Sequence, residues 1–221
     1  MIKSVIWASM LDYPKHVCTT LFFEGCNFDC EYCYNKVLSK LETIDFNKQI
    51  LPKLLERKNL VNYVILSGGE CTISNEFQII LDTLYENGFI VGIHTNGSRP
   101  DIILKNINKI SYIGMDIKND FDNYNKTCKV NVDISNIKRS IEIIKNSTID
   151  YEFRTTIYPK EININNCISI ANTLEEYGIN NYVLQNYNKI EGSLEIPLQE
   201  EELLKIAEAC NKIIKTNIKN I

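Results

Sequence analysis

Histidine is scarce in this chain, with two residues, and tryptophan scarcer, with one. His16 and His94 leave little material for a zinc site, since a closed structural site takes four ligands, commonly as two separated pairs. Long apolar runs are absent as well. No segment approaches the ~18 uninterrupted apolar residues of a membrane span. The opening residues Met1-Ile2-Lys3-Ser4-Val5-Ile6-Trp7 carry no long apolar stretch and no small-residue cleavage site, so no secretory leader is expected. There is no surplus of positive charge: 24 Lys and Arg face 28 Asp and Glu, a net charge of −4. Neutralising phosphates needs clustered Lys and Arg, so neither a nucleic acid nor a membrane is expected as partner. No linker rich in Ser, Gly or Pro interrupts the chain, which predicts one domain over residues 1–221, with a core over about 16–190 and a C-terminal helix over 199–215.

What is present is an ordinary globular composition, 44% apolar and 24% charged, together with eight cysteines. A chain of 221 residues can build a core without disulfide staples. The thiols are therefore expected to be reduced, in the cytoplasm, with three of them serving as ligands. β-rich runs alternate with helical ones. Strands are expected over 17–23, 61–66, 89–94, 112–117, 151–158 and 182–187. Helices are expected over 46–58, 76–86, 100–106, 135–146, 164–177 and 199–215, and a loop over 119–130. Such alternation implies parallel strands with right-handed crossovers. Periodicity alone does not separate a doubly wound sheet from a partial barrel.

Chemistry concentrates after the first of these strands. Cys26-Asn27-Phe28-Asp29-Cys30-Glu31-Tyr32-Cys33 places three thiols in one short loop beside Gly25, which permits a tight backbone path. Thiolates hold iron–sulfur clusters, and three of them can hold three irons of a four-iron cube, leaving the fourth free to bind something else. The plainer readings are a zinc site, a four-cysteine cluster completed by Cys18 or Cys71, and chance clustering of buried cysteines. Later strands also end in polar residues. The second ends Ser67-Gly68-Gly69-Glu70, where two glycines let a ligand approach the backbone and Glu70 offers a carboxylate. The third ends His94-Thr95-Asn96-Gly97, and the fourth ends Asp116-Ile117-Lys118, whose Asp and Lys share a side. A structural salt bridge is the plain reading of that pair. Arg154 and Thr156 share a side of the fifth strand, and Gln185 lies on the sixth. His94 reads as a satisfied structural residue, Cys71 as buried and unreactive, and Cys18, Cys128, Cys167 and Cys210 as core or surface thiols.

The three-then-two cysteine spacing, with Tyr32 before the last cysteine, resembles the signature of the radical S-adenosylmethionine (SAM) superfamily. The resemblance implies an α/β fold, a single-domain partial (β/α)6 TIM-type barrel of parallel strands. It implies a [4Fe–4S] cluster on Cys26, Cys30 and Cys33, and SAM chelated at the open iron. One electron from the reduced cluster would cleave SAM to methionine and a 5′-deoxyadenosyl radical, which removes a hydrogen atom from the substrate. Tyr32 would pack near the adenine. Gly68-Gly69-Glu70 looks like the family's motif for the SAM amino group. Thr95, Asn96, Asp116 and Lys118 would surround the ribose and carboxylate, and Arg154 would face SAM or substrate.

Ser9-Met10-Leu11-Asp12-Tyr13-Pro14, the run from Phe23 to Asn35, Tyr112–Lys118 and Tyr151–Thr156 together resemble the activating proteins of anaerobic ribonucleoside-triphosphate reductase. That resemblance implies a glycyl radical raised on a much larger partner enzyme, and a reduced flavodoxin- or ferredoxin-type electron donor. The alternative is a small radical SAM enzyme modifying a peptide or a metabolite, such as a deazapurine synthase. Lys15 stands where that group commonly has glycine, Tyr34 where it often has histidine, Cys71 where proline is usual, and His94 where aspartate is frequent. Without that aspartate no monovalent cation site is expected.

Overall fold

The computed structural model describes residues 1–219. They form one eight-stranded sheet whose spatial order follows the chain: β1 (Ile2–Ser9), β2 (Cys18–Phe23), β3 (Tyr63–Gly68), β4 (Ile90–Thr95), β5 (Tyr112–Asp116), β6 (Asp150–Ile157), β7 (Tyr182–Asn186) and β8 (Thr216–Lys219). β1 pairs antiparallel with β2, and every later pair is parallel. The edges do not meet, so the sheet is an open, partial barrel. The six expected strands are β2 to β7. The two edge strands were not expected, and both have a local reason. Ile2 and Val5 lie in β1 against Phe23 and Leu21, and Trp7 is covered by Lys53, whose Nζ lies 4.1 Å from the ring centroid. At the other edge the C-terminal helix stops short of its expected end at 215.

The helices are α1 (Leu51–Arg57), α2 (Phe77–Glu86), α3 (Pro100–Asn106), α4 (Tyr124–Cys128), α5 (Ile134–Lys145), α6 (Ile164–Glu176) and α7 (Glu200–Asn211). α7 ends where Asn211 turns to bond the backbone of Thr216, and Thr216–Lys219 then joins β7. α5 begins at Asp133, whose carboxylate accepts from the Ser135 N–H, and buries Ile137, Ile141 and Ile144. α6 begins on a reciprocal cap between Asn163 and Asn166. The segment expected as a loop over 119–130 carries α4, which is tied down at Asn119 by bonds to Thr127 and to the Glu161 carbonyl.

Val64, Ile65 and Leu66 of β3 are all fully buried, as a parallel sheet covered on both faces requires. Tyr13 closes the barrel floor: its ring lies 4.8 Å from Tyr63 and 5.1 Å from Tyr112. Just beyond it Lys15 adopts φ 66, a left-handed conformation that explains the preference for glycine at this turn. The cysteine loop leaves the opposite end of β2, so the floor and the mouth are separate. Among the described residues no helix is long and apolar enough to cross a membrane.

Candidate functional site

The loop after β2 is shaped by backbone contacts with the loop after β3. The Gly69 N–H donates to the Phe23 carbonyl at 2.7 Å, and the Glu70 N–H donates to the Gly25 carbonyl at 2.8 Å. A Cβ on Gly69 would lie 1.9 Å from the Gly25 oxygen, so only glycine permits this approach. Asn35 donates to the Gly68 carbonyl from the far side of the cysteine loop. Within the loop the Phe28 N–H donates to Cys26 Sγ at 3.3 Å, and the Cys33 N–H donates to the Cys30 carbonyl at 3.3 Å. Cys26 is exposed, Cys33 half-buried and Cys30 buried. Glu31 ties the loop to the end of β6 through Lys160 at 2.5 Å and the Tyr158 hydroxyl at 3.1 Å. Tyr32 is buried beside Tyr158, with ring centroids 5.3 Å apart, and its hydroxyl has no partner among the described residues.

Glu70 turns inward. It is fully buried, and Thr72 N, Thr72 Oγ1 (2.6 Å) and Thr95 Oγ1 (2.8 Å) all donate to Oε1, while Asn96 N donates to Oε2 at 2.6 Å. Burial pushes its pKa up against these donors. The carboxylate that the sequence offered to a ligand thus joins the β3 and β4 loops. Thr95 is engaged on both sides, since its oxygen also accepts from the Gly97 N–H. Asn96 reaches the mouth: its Nδ2 donates to Asn27 Oδ1 at 2.9 Å and lies 3.8 Å from Cys26 Sγ.

Asp116, Lys118 and Arg154 meet as an ion cluster. Arg154 Nε and Nη2 both donate to Asp116 Oδ1, at 2.9 and 2.8 Å, and Lys118 Nζ lies 3.1 Å from Oδ2. Register places Asp116 opposite Arg154. Burial alone would raise the Asp116 pKa, but Arg154 and Lys118 hold it well below the usual carboxylate range. Two cations on one anion leave a net positive charge, and Lys118 lies within electrostatic reach of both Cys26 and Cys30. Gly114 makes room for this cluster: a Cβ there would lie 2.9 Å from Arg154 Nη1 and 2.9 Å from His94 Cδ2. His94 is satisfied at both nitrogens. Nε2 donates to the Asp12 carbonyl at 3.0 Å, so Nδ1 accepts from Ser67 Oγ at 3.2 Å. Burial first, then Arg154, lowers its pKa to about 3.

Neither thiol considered as a fourth cysteine lies near the loop's centre. Cys71 is buried and points at the His94 carbonyl, and Cys18 packs against Thr20. The thiol that does reach the loop is Cys128, read from sequence only as a core or surface residue. Its carbonyl accepts from the Asp29 N–H at 2.8 Å, beside Cys30, and its neighbouring thiol lowers the Cys30 pKa to about 7. The signal was present in the sequence, as a single cysteine inside an insertion otherwise rich in Asn, Asp and Lys. Thr156 and Gln185 are half-buried on β6 and β7.

Among the described residues no three of Cys, His, Asp or Glu converge on a single point as ligands of one ion. Three thiols held apart on one loop suit the separate corners of a cluster. A buried hydroxyl without a partner at Tyr32 and a spare positive charge at Lys118 suit an aromatic, carboxylate-bearing ligand beside it. Next to the loop an open cleft of about 420 Å³ runs between Glu31, Tyr158, Lys160 and the segment 190–195. Leu194 (94%) and Ile196 (65%) stand exposed at this strap.

The Radical SAM superfamily profile matches residues 20–184. MJ1227 of Methanocaldococcus jannaschii, named only as a proposed glycyl-radical enzyme activating enzyme, is 28% identical over 246 residues, covering 100% of this chain and 94% of its own. A radical SAM methyltransferase from Sphaerobacter thermophilus superposes with a TM-score of 0.72 at 13% identity, over 94% of this chain and 67% of that one. Streptococcus suis SuiB bound to its precursor peptide SuiA superposes with a TM-score of 0.68 at 15% identity, over 88% and 46%.

Proposed function

The chain belongs to the radical SAM superfamily, and we propose that within it this protein raises a glycyl radical on a larger partner, with an anaerobic ribonucleotide reductase as the expected target. The observation that carries the reading is the three-cysteine loop at the mouth of an open parallel barrel, facing the spare positive charge of Asp116, Lys118 and Arg154. The family's cofactors are a [4Fe–4S] cluster and SAM, which together supply one-electron cleavage of a sulfonium to an organic radical. Cys26, Cys30 and Cys33 would hold the cluster. Lys118 would attract the SAM carboxylate, since its charge is only half neutralised by an Asp116 it shares with Arg154. The backbone of Gly68 and Gly69 would line the amino end, because the Glu70 carboxylate is turned away. Tyr32 would pack against the adenine and offer its free hydroxyl. Thr95 would act through Glu70, and Asn96 would meet the ligand directly.

Two features support a macromolecular substrate. The sheet is open between β1 and β8, and the cleft beside Glu31 is flanked by exposed Leu194 and Ile196. The 28% identity to MJ1227, over 94% of that protein's length, supports the activase reading specifically. Reduced thiols at a solvent-reachable loop fit the cytoplasm, with a flavodoxin- or ferredoxin-type protein as electron donor. The test is anaerobic reconstitution with iron and sulfide, reduction, and addition of SAM together with the organism's own anaerobic reductase. A SAM-dependent glycyl-type signal on the partner in electron paramagnetic resonance is expected, and Cys26→Ala, Cys30→Ala or Cys33→Ala should each abolish SAM cleavage. SAM consumed without a partner radical would move the substrate to a peptide or a metabolite; cleavage retained in any cysteine variant would overturn the ligand assignment.

A further inference from the structure

Resting on the reading above, we propose that the strap over 187–198 is a docking loop for the partner polypeptide, and that the segment it captures is basic with apolar anchors.

The strap holds a definite shape. Asn186 closes its neck by standing in for a backbone ladder: its Nδ2 donates to the Leu198 carbonyl at 2.9 Å, and the Leu198 N–H donates to its Oδ1 at 3.2 Å. Beyond the neck the Ile190 N–H donates to the hydroxyl of buried Tyr187 at 3.1 Å, the Ser193 N–H donates to the Ile190 carbonyl, and the Glu195 N–H donates to Ser193 Oγ. Compact surface loops with closed ends are frequently functional. Ile190 and Leu198 pack against the core, whereas Leu194 and Ile196 between them turn to water. A loop already held in shape loses little further freedom when it captures a partner. The strap forms one wall of the cleft, and Glu31, between Cys30 and Tyr32, lies on the other. A segment seated there rests against the cysteine loop.

The charge of this flank names the chemistry of its occupant. Glu191 and Glu195 make no ion pair among the described residues, while Glu31 across the cleft is already matched by Lys160 at 2.5 Å. Residues 187–202 hold five glutamates against one lysine, which equals the chain's entire net charge of −4, so the rest of the molecule is balanced. Part of this run is the first turn of α7. Since β7 and β8 are parallel, α7 runs back from the mouth, which puts Glu200, Glu201 and Glu202 at the same end as the strap. Those three suit the positive end of a helix dipole. Glu191 and Glu195 belong to no helix, and burial or pairing does not explain them either. An acidic flank repels a nucleic acid or an anionic membrane and draws a cationic chain. Leu194 and Ile196 stand on either side of Glu195, so charge steers the segment and sets its register while the apolar pair holds it.

The experiment follows three labelled peptides binding to the reconstituted holoenzyme by fluorescence anisotropy: one alternating Lys and Leu, one with Glu in place of Lys, and one with Ser in place of Leu. The proteins are the wild type, Glu191→Lys with Glu195→Lys, and Glu86→Lys with Glu176→Lys. The last carries the same net charge as the strap variant but puts the change on the exposed ends of α2 and α6. The Lys–Leu peptide should bind the wild type and the α2–α6 variant within about twofold of each other, and the strap variant about tenfold more weakly at low salt, with the gap closing toward about 1 M salt. The Glu–Leu and Lys–Ser peptides should each bind the wild type about tenfold more weakly than Lys–Leu. The anaerobic reductase concentration that gives half-maximal glycyl radical should rise by a similar factor in the strap variant and stay put in the α2–α6 variant. Unchanged affinity in the strap variant overturns the proposal. So does an equal loss in both variants, which would report net charge alone, and so does equal binding of the three peptides. A wild type that captures the Lys–Leu peptide at the strap but raises no radical on the reductase would instead defeat the functional reading and leave the docking surface in place.

Discussion

Glu70 shows how one side chain can be legible in type and not in role. Gly68-Gly69-Glu70 after a strand marks a backbone that a ligand can approach, and the chain does bring that backbone to the mouth. The carboxylate faces the other way and accepts four hydrogen bonds from Thr72, Thr95 and Asn96. Glu70→Gln would set an amide N–H₂ against one of these donors and leave buried groups unpaired. We expect a loss of about 2–3 kcal/mol. The thermal midpoint should fall by roughly 5–10 °C, readable by circular dichroism on the cluster-free protein. A midpoint within a degree of wild type would mean that the network is not structural. Cys128 is the converse case. Its one local mark is its place inside an insertion rich in Asn, Asp and Lys, and only the fold brings it beside the cysteine loop.

At the scale of elements, β3, the segment after β1 and β6 hold His94 of β4 between Ser67, the Asp12 carbonyl and the Arg154 guanidinium. Every group facing it either needs a neutral ring or is cationic, apart from the Asp116 and Asp12 carboxylates, whose pull is smaller. Its pKa is lowered on folding, so the unfolded chain binds the proton more readily between about 3 and the free value near 6.5. Stability from His94 is therefore fully present above about pH 6.5 and is lost as pH falls, by up to about 1.4 kcal/mol per pH unit. Urea midpoints from pH 7 to pH 5 should drop in the wild type, and the slope should flatten in His94→Gln. Equal slopes would show that the ring is not buried neutral. Asp116 acts lower on the scale: its depressed pKa makes its contribution complete above the unfolded value near 3.9 and lost only below it. The two groups thus act in different windows of pH.

For the whole molecule, the open sheet decides what can be reached. A closed barrel would admit a small metabolite through its mouth, whereas an open one with a lateral cleft admits a chain segment. The strap carrying Leu194 and Ile196 borders that cleft and makes no use of either side chain in the core. Replacing both, as Leu194→Ser with Ile196→Ser, should leave SAM cleavage without partner at the wild-type rate. It should reduce radical yield on the partner at least fivefold, with a matching rise in the partner concentration needed for half-maximal yield. Unchanged yield would place the partner elsewhere on the surface.

The sequence by itself determined the strand–helix alternation, the cysteine loop and the polar strand ends, because each is written in residues close together along the chain. β-branched runs, helix caps and a three-thiol loop are local signals, and β2 to β7 follow them closely. Tertiary structure alone decided the rest. β1 and β8 are edge strands with one pairing neighbour each, β2 and β7, and Thr216–Lys219 became a strand because β7 offered it a ladder. The Asp116–Arg154 pair depends on register between β5 and β6. The choice of an open barrel over a doubly wound sheet, and of Cys128 over Cys18 or Cys71 as neighbour to the loop, depends on contacts between residues far apart in sequence. Those are set by packing, and packing has no period to read.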